Sequence, residues 1–166
     1  AFQLLTTEGT CGLWDNQSTD FFEVPLENVV FSPDSARFAF SGRKNSEWEV
    51  FVDGNREAAF DYVTSIAFSP DSKQVAYVGR QGKEWFVGRD DDVRPLKVRG
   101  SIFRFQPWPA VFESIGYVHG LRFSTDAKHL LLCAHHGGAN DHGPRLTMCD
   151  DRVVAVGSDD CPYVAM

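Results

Sequence analysis

The chain has 166 residues, a length typical of one domain with a hydrophobic core, and a net charge of −7. That charge, with lysines and arginines scattered along the chain, argues against a nucleic-acid-binding protein, which needs a basic patch. No apolar run reaches the roughly 20 residues that a membrane-spanning helix requires. Aromatic residues make up 13% of the chain, with 14 phenylalanines, and this composition with frequent Gly and Pro favours β-strands.

The N-terminal segment predicts three short strands. They are expected at Phe2–Thr6, Gly12–Asp15 and Asp20–Val24. In order, they match the second, third and fourth strands of the repeated unit that follows. The segment therefore has the pattern of a unit without its first strand.

Two close copies of one motif come next. Phe31-Ser-Pro-Asp-Ser recurs 37 residues later as Phe68-Ser-Pro-Asp-Ser, and Glu-Trp pairs at 47–48 and 84–85 keep the same spacing. In each motif Pro fixes φ at the first central position of a turn, and Asp can accept bonds from neighbouring backbone N–H groups. A fixed period of this length indicates a repeat architecture.

Each repeated unit predicts four strands, termed a to d. In the first unit they are expected at Val29–Ser32, Arg37–Ser41, Trp48–Val52 and Ala58–Val63. Strands c and d are joined there by Asp53-Gly54-Asn55, a typical hairpin turn.

The second unit departs from the first after strand c. Strands a to c are expected at Ile66–Ser69, Gln74–Val78 and Trp85–Gly88. Strand d is expected only at Ala110–Ile115, because residues 111–115 resemble residues 59–63. Residues 96–109 would then be an insertion within a long c–d turn, on the same face as the Ser-Pro-Asp turns and opposite the b–c loops.

A weaker third copy begins at Phe123-Ser-Thr-Asp-Ala. Its strands are expected at Leu121–Phe123, His129–Ala134, Arg145–Cys149 and Val153–Val156. Residues 163–166 lie where the next strand a belongs. Together with the N-terminal segment they would complete a fourth unit.

Phe-Ser-Pro-Asp-Ser followed by an apolar strand resembles the WD40-like repeats of TolB-type β-propellers, whose hallmark is F-S-P-D-G-x-x-[IVL]-A-[FY]. The match is close at 31–40 and 68–77, whereas Thr125 and Ala127 replace Pro and Gly in the third copy. The resemblance implies an all-β propeller that binds proteins or ligands across the ring face, and it implies no catalytic residues.

We therefore expect about four four-stranded antiparallel blades, one shared between the N- and C-terminal strands. The blades are expected at 29–64, 66–115, 121–160 and 2–25 with 162–166. Propellers of this family usually have six or more blades. Either this chain closes a four-bladed ring by itself, or two chains pair as a homodimer into an eight-bladed ring, because open sheet edges are normally covered or paired.

A His-rich segment in the third unit is the sharpest candidate for a metal site. It contains His135, His136 and His142, flanked by Cys133 and Cys149. Imidazole and thiolate are ligands that transition metals prefer, but this spacing matches no known metal signature. The alternative is a solvated b–c loop, and no cofactor other than this metal ion is expected.

The four cysteines leave their redox state open. Cys133 could pair with Cys149 across one blade, and Cys11 with Cys161 across the joined blade, or all four thiols could stay reduced.

Two further segments have both a structural and a functional interpretation. The insertion 96–109 contains Ile102, Phe103, Phe105 and Trp108, which would either cover a blade edge or contact a protein partner. The three consecutive aspartates 90–92 would form a solvated turn or attract a cation, although their spacing is not that of an EF-hand.

No motif in the sequence indicates an enzyme. G-x-S-x-G, Walker and G-x-G-x-x-G patterns do not occur. The expected function is a non-enzymatic protein- or ligand-binding module; the alternative is a small-ligand or metal-dependent enzyme that uses the channel and residues 135–142. The start at Ala1 without Met suggests a processed or trimmed chain, which export would explain and methionine removal would explain equally. The expected location is periplasmic or secreted, with a cytoplasmic location as the alternative.

Overall fold

The computed structural model describes residues 2–6, 9–14, 17–18, 21–97, 115–136, 145–150 and 152–157. Every regular element in these ranges is a β-strand. The first seven strands are β1 (Phe2–Thr6), β2 (Gly9–Trp14), β3 (Gln17–Ser18), β4 (Glu27–Phe31), β5 (Phe38–Lys44), β6 (Glu47–Val52) and β7 (Asn55–Phe60). The next eight are β8 (Tyr62–Phe68), β9 (Val75–Gln81), β10 (Glu84–Arg89), β11 (Asp92–Pro95), β12 (Ile115–Phe123), β13 (Leu130–His136), β14 (Arg145–Cys149) and β15 (Arg152–Gly157).

These strands form antiparallel sheets in which each strand pairs with its neighbour along the chain. Strands β1 to β3 form the N-terminal sheet. Strands β4–β7, β8–β11 and β12–β15 form three four-stranded sheets, which we name sheets I, II and III. The predicted all-β class and the four-stranded repeat are confirmed for these three sheets.

The cores lie between consecutive sheets. Between sheets I and II the buried side chains include Val50, Val52, Phe60, Val63, Ile66, Val75 and Tyr77. Between sheets II and III they include Val78, Trp85, Val87, Val118, Leu130, Leu132, Leu146 and Met148. Sheet II therefore contributes both of its faces to packing, which explains why residues 75–79 of β9 are all buried.

Phenylalanine against glycine is a repeated contact at these junctions. The ring of Phe60, at the end of β7, lies on Gly79 of β9, where a Cβ atom would be 2.4 Å from the ring. Phe22 lies in the same way on Gly42 of β5, where a Cβ would be 2.5 Å away. Glycine permits this close approach. Burying a phenylalanine stabilises the fold by about 1.5–3 kcal/mol.

The fourth strand of sheet II was predicted wrongly. It is β11, Asp92–Pro95, which pairs with β10 directly after a two-residue turn. Ile115, expected at the end of strand d, instead begins β12 of sheet III. The turn contains no glycine, but Asp90 adopts a left-handed φ of 49°, a conformation that Asp tolerates better than most residues.

The insertion is therefore not in the c–d turn, which consists of residues 90–91. The face on which residues 98–109 lie stays a prediction, because these residues are outside the described part of the chain. The insertion follows the fourth strand of sheet II and precedes the first strand of sheet III. Ile115 pairs with His136, where the His-rich segment begins. The chain thus enters β12 at the same end of sheet III at which β13 ends.

The N-terminal sheet agrees in part with its prediction. Strand β1 has the expected bounds, β2 begins three residues early, and the third position is the short β3 with a bridge between Thr10 and Phe22. The C-terminal residues 163–166, expected to complete this sheet, lie outside the described residues. In the part of the chain that is described, no helix is long and apolar enough to cross a membrane.

Candidate functional site

The Ser-Pro-Asp turn of the repeat is hydrogen-bonded internally. In sheet II, Ser69 Oγ donates to Asp71 Oδ1 at 2.6 Å and accepts the N–H of Gln74 at 2.9 Å. The equivalent Ser–Asp pairs are Ser32–Asp34 in sheet I and Ser124–Asp126 in sheet III. The serine hydroxyl, helped by a backbone N–H, lowers the pKa of each aspartate. These side-chain groups of the motif are thus hydrogen-bonded within the turn that joins the first two strands of each sheet.

A second aspartate connects the c–d turn of each sheet to its second strand. Asp53, Asp90 and Asp150 have left-handed φ values of 51°, 49° and 55°. Each accepts, at 3.0 Å, the N–H of the first residue of the second strand: Phe38, Val75 and Leu130 respectively. These contacts identify equivalent positions in the three sheets. They also assign Asp90, one of the three consecutive aspartates, to the turn itself.

An arginine joins sheet I to sheet II. Arg37 Nε lies 2.8 Å from Asp53 Oδ2, and Arg37 Nη1 donates to the carbonyl of Lys73 at 2.9 Å. The guanidinium also lies over the ring of Phe68, 5.3 Å from its centroid. Arg37 therefore covers the motif phenylalanine of the following sheet and holds its turn.

A different arginine joins sheet II to sheet III. Arg89 donates to the carbonyls of Lys128 at 3.1 Å and Ala127 at 3.0 Å, and its guanidinium lies 5.5 Å from the centroid of Phe123. It also donates to Gln74 Oε1 at 2.7 Å. Gln74 occupies in sheet II the position that Arg37 occupies in sheet I. The guanidinium of Arg89, at the end of β10, therefore extends to the position that the Arg37 guanidinium occupies in sheet I.

The leading face of sheet I, defined by Val29 and Phe31 on β4, differs from its counterparts. Phe31 is equivalent to Phe68 and Phe123 but is 51% exposed, and Val29 is 41% exposed. Among the described residues no arginine lies over Phe31. The leading face is therefore an open copy of a surface that is covered in sheets II and III.

The trailing face of sheet III, defined by His129, Cys149 and Asp150, differs as well. His129 is equivalent to Arg37, and Cys149 is equivalent to Arg89, because both positions are fixed by the adjoining turn contacts. His129 Nδ1 lies 2.9 Å from Asp150 Oδ2. One ligand atom from each of the three residues lies within 4.8 Å of the others.

Two opposing effects act on the acidic groups of this face. Burial, followed by the nearby Asp150, raises the pKa of the Cys149 thiol. Burial would also raise the pKa of Asp150, but hydrogen bonds from His129 and from the N–H of Leu130 outweigh it and lower that pKa. Asp150 is thus stabilised as a carboxylate beside a protonated thiol, which does not suit Cys149 to nucleophilic catalysis.

A second cluster lies at the end of sheet III where the His-rich segment begins. The rings of His119 and His135 have centroids 4.9 Å apart, and Tyr117 stacks on His119 at 5.9 Å. His135 is buried, with 8% exposure. Trp85 Nε1 donates to the carbonyl of Ile115 at 3.1 Å and so links sheet II to this end.

The structure describes few of the sequence-predicted site residues. His135 lies next to His119, whereas only the backbone of His136 is described. His142 and the insertion residues Ile102, Phe103, Phe105 and Trp108 lie outside the described residues. The metal and partner-binding hypotheses for these residues therefore remain predictions.

None of the three alternatives left open for the cysteines is correct: neither pairing forms, and the four thiols are not all reduced. Cys133 is disulfide-bonded, whereas Cys11 and Cys149 are free thiols. Cys149 therefore does not pair with Cys133, and Cys11 does not pair with Cys161, which lies outside the described residues. Strands β13 and β14 place Cys133 opposite Thr147 rather than opposite Cys149.

The sequence interpretation missed His119, His129 and Asp150 as members of clusters. Each unit has two turn aspartates, one after the motif serine and one after strand c. An alignment of the three units at these aspartates would have placed His129 at the position of Arg37 and Cys149 at the position of Arg89. The contact of His119 with His135 depends on the register of β12, whose pairing shifts between His119 and Arg122. No local pattern indicates that shift.

Comparison with known proteins adds no assignment. No model of a known protein family matches the sequence, and no curated protein matches it significantly. The residues described above are therefore the basis for the functional proposals.

Proposed function

We propose that the chain is a non-enzymatic binding module of the β-propeller type, similar to WD40-like repeats of TolB-type propellers. Three consecutive four-stranded sheets with repeated turns and repeated arginine contacts support this architecture. The module binds a protein segment at the leading face of sheet I. The observation that carries the proposal is the exposure of Phe31, at a position that Arg37 and Arg89 cover in the following sheets.

The bound segment is an extended strand. The N-terminal sheet precedes sheet I along the chain and has three strands in its described part, with β1 at its edge. Among the described residues, no strand occupies the position beside β1 that corresponds to β4, β8 and β12, the first strands of their sheets. A strand added beside β1 would satisfy backbone groups by β-augmentation. Its side chains would cover Val29 and Phe31.

Two sources of this strand are consistent with the proposal. Residues 163–166 of the same chain would close a four-bladed ring. A second copy of the chain would form a homodimer with eight blades. In both cases the bound strand covers the leading face. A substitution in this face should therefore weaken the assembly or the fold, whereas it would change neither if the face were free.

The solution mass of wild type and of Phe31→Ser, measured by light scattering on a sizing column, tests the proposal. A dimeric wild type and a monomeric variant would identify the second copy. A monomeric wild type that loses stability when residues 163–166 are deleted would identify the chain's own tail. Val93→Ser is the control, because Val93 is similarly exposed, at 41%, but lies on the outer strand β11.

A monomeric wild type whose stability is unchanged by both the deletion and Phe31→Ser would contradict the proposal. The deletion retains Cys161, so it leaves the cysteine content of the chain unchanged.

A second candidate function, metal- or ligand-dependent chemistry at the His-rich end of sheet III, is supported by the contact between His119 and His135. Adjacent imidazoles are ligands for transition metals. The double variant with His119→Gln and His135→Gln should then lose the rise in melting temperature that an added transition-metal ion causes in wild type. An unchanged rise would contradict this candidate.

The disulfide of Cys133 supports an oxidising compartment for the protein, because disulfides persist mainly in periplasmic and secreted proteins. Labelling of Cys133 in protein isolated without reductant should therefore be low. Full labelling would favour the cytoplasmic alternative.

A further inference from the structure

The trailing face of sheet III combines three ligand types that zinc uses. His129 offers an imidazole, Cys149 a thiol and Asp150 a carboxylate, and their ligand atoms lie within 4.8 Å of one another. Zinc binds such atoms at about 2.0–2.3 Å, which places ligand atoms roughly 3–4 Å apart. Small side-chain rotations would bring these three to that spacing.

The equivalent positions of sheets I and II hold arginines instead. Arg37 and Arg89 each place a permanent positive charge where sheet III has His129 and Cys149. A guanidinium cannot be deprotonated in a protein and excludes a metal ion. In place of an arginine's positive charge, sheet III therefore has side chains that can bind a metal cation.

The surrounding contacts orient the donors. Asp150 is fixed by the N–H of Leu130, which donates to Oδ1 at 3.0 Å and leaves Oδ2 facing His129. Arg89 is a nearby cation that helps to lower the pKa of Asp150. Its guanidinium donates hydrogen bonds to the carbonyls of Ala127 and Lys128. Contacts of this kind, behind the ligands, are what pre-orient a metal site.

We propose that His129, Cys149 and Asp150 bind a zinc ion on the trailing face of sheet III. The side chains of His129 and Asp150 are 48% and 36% exposed, so water can complete the coordination. Three protein ligands and water form the open arrangement of reactive zinc sites rather than the closed arrangement of structural ones.

Cobalt substitution tests the site in the full chain. Adding Co²⁺ should produce the absorption of a tetrahedral ion together with a thiolate-to-cobalt charge-transfer band, and Zn²⁺ should remove both. Cys149→Ser should abolish the charge-transfer band. His129→Gln and Asp150→Asn should weaken binding by at least the roughly 10–100-fold that loss of an outer-shell partner costs.

Matched controls separate the site from the rest of the chain. Asp53→Asn removes the equivalent turn aspartate of sheet I, beside Arg37, and should leave cobalt binding unchanged. Cys11→Ser removes the other free thiol and should also leave it unchanged.

Protection from alkylation provides a test that needs no variant. Zinc should slow the reaction of Cys149 with iodoacetamide at least tenfold. The buried Cys11 should react slowly both with and without zinc. Unprotected Cys149, a cobalt spectrum without a thiolate band, or loss of binding in His136→Gln and His142→Gln rather than in Cys149→Ser would each overturn the proposal.

Discussion

The junction between sheets II and III and the trailing face of sheet III have the same backbone design but different side chains. At the junction, Arg89 covers Phe123 and holds the next turn. On the trailing face, His129 and Cys149 occupy the positions of the arginines; His129 contacts Asp150, and ligand atoms of all three residues lie within 4.8 Å of one another. The turn aspartate fixes the backbone in both places. The comparison shows that the repeated backbone determines which positions lie close together. The side chains at these positions determine whether they pack against the next sheet or form a cluster of possible metal ligands.

The largest expected effect is at the centre of a sealed junction. Phe60→Ala should destabilise the protein by about 3–5 kcal/mol, because it removes a buried ring that lies on Gly79 and leaves a cavity. Phe31→Ala should cost less, roughly 1 kcal/mol as long as no strand covers the leading face, because Phe31 is 51% exposed in the isolated chain. Urea unfolding of both variants measures the difference, and equal losses would show that the leading face is covered in solution.

The arginine contact should have an intermediate effect. Arg89→Ala removes hydrogen bonds to two carbonyls and the contact with Phe123, so we expect a loss of about 2 kcal/mol. Arg94→Ala, on the exposed strand β11, is the control and should stay within about 0.5 kcal/mol. If the two variants unfold at the same urea concentration, Arg89 does not hold sheets II and III together.

The repeat made much of the strand pattern predictable. Strands β1 and β14 have the predicted bounds, because the order of strands in the repeated unit predicts where they lie. Strand β11 was missed because its turn contains Asp90 and Asp91, a pair without the glycine that usually indicates a hairpin. Strand d of the first unit, expected at Ala58–Val63 after the Asp-Gly turn, is β7 at Asn55–Phe60, and Val63 belongs to β8. A conventional turn thus predicts that a strand follows, but not where the strand ends.

The contacts between sheets could not be predicted in the same way. Arg37 and the carbonyl that it binds are 36 residues apart, and His129 meets Asp150 across 21 residues. Both contacts depend on strand register and on the direction of a side chain. A sequence pattern specifies these only after the equivalent positions of the three units are known.

A smaller, stabilising effect is expected at the weakest copy of the motif. Ala127 has a φ of 59°, which costs an L-residue about 1–2 kcal/mol, and glycine does not have this cost. Ala127→Gly should therefore stabilise the protein by about 0.5–1 kcal/mol, after the greater unfolded-state entropy of glycine is subtracted.

The neighbouring turn in sheet I provides the control for this substitution. Ala36 does not have a positive φ, so Ala36→Gly should destabilise the protein by about 0.5–1 kcal/mol. Differential scanning calorimetry of the two variants gives the sign directly. A lower melting temperature for Ala127→Gly would contradict strain in the third turn.

The smallest expected effect is the pH dependence of the Ser-Pro-Asp turns. The hydroxyl of Ser69 and the N–H of Lys73 lower the pKa of Asp71 below its ordinary value of 3.8. Because the folded-state pKa is the lower one, the turn contributes stability above pH 3.8, and this contribution is lost as the pH falls through the folded-state pKa. The melting temperature of Asp71→Asn should therefore be lower than that of wild type at neutral pH, and the difference should become smaller in acid. Ser69→Ala should reduce the pH-dependent part of that difference, because it removes the largest cause of the shift. A difference between wild type and Asp71→Asn that stays constant across this range would show that the charge of Asp71 contributes nothing to the turn.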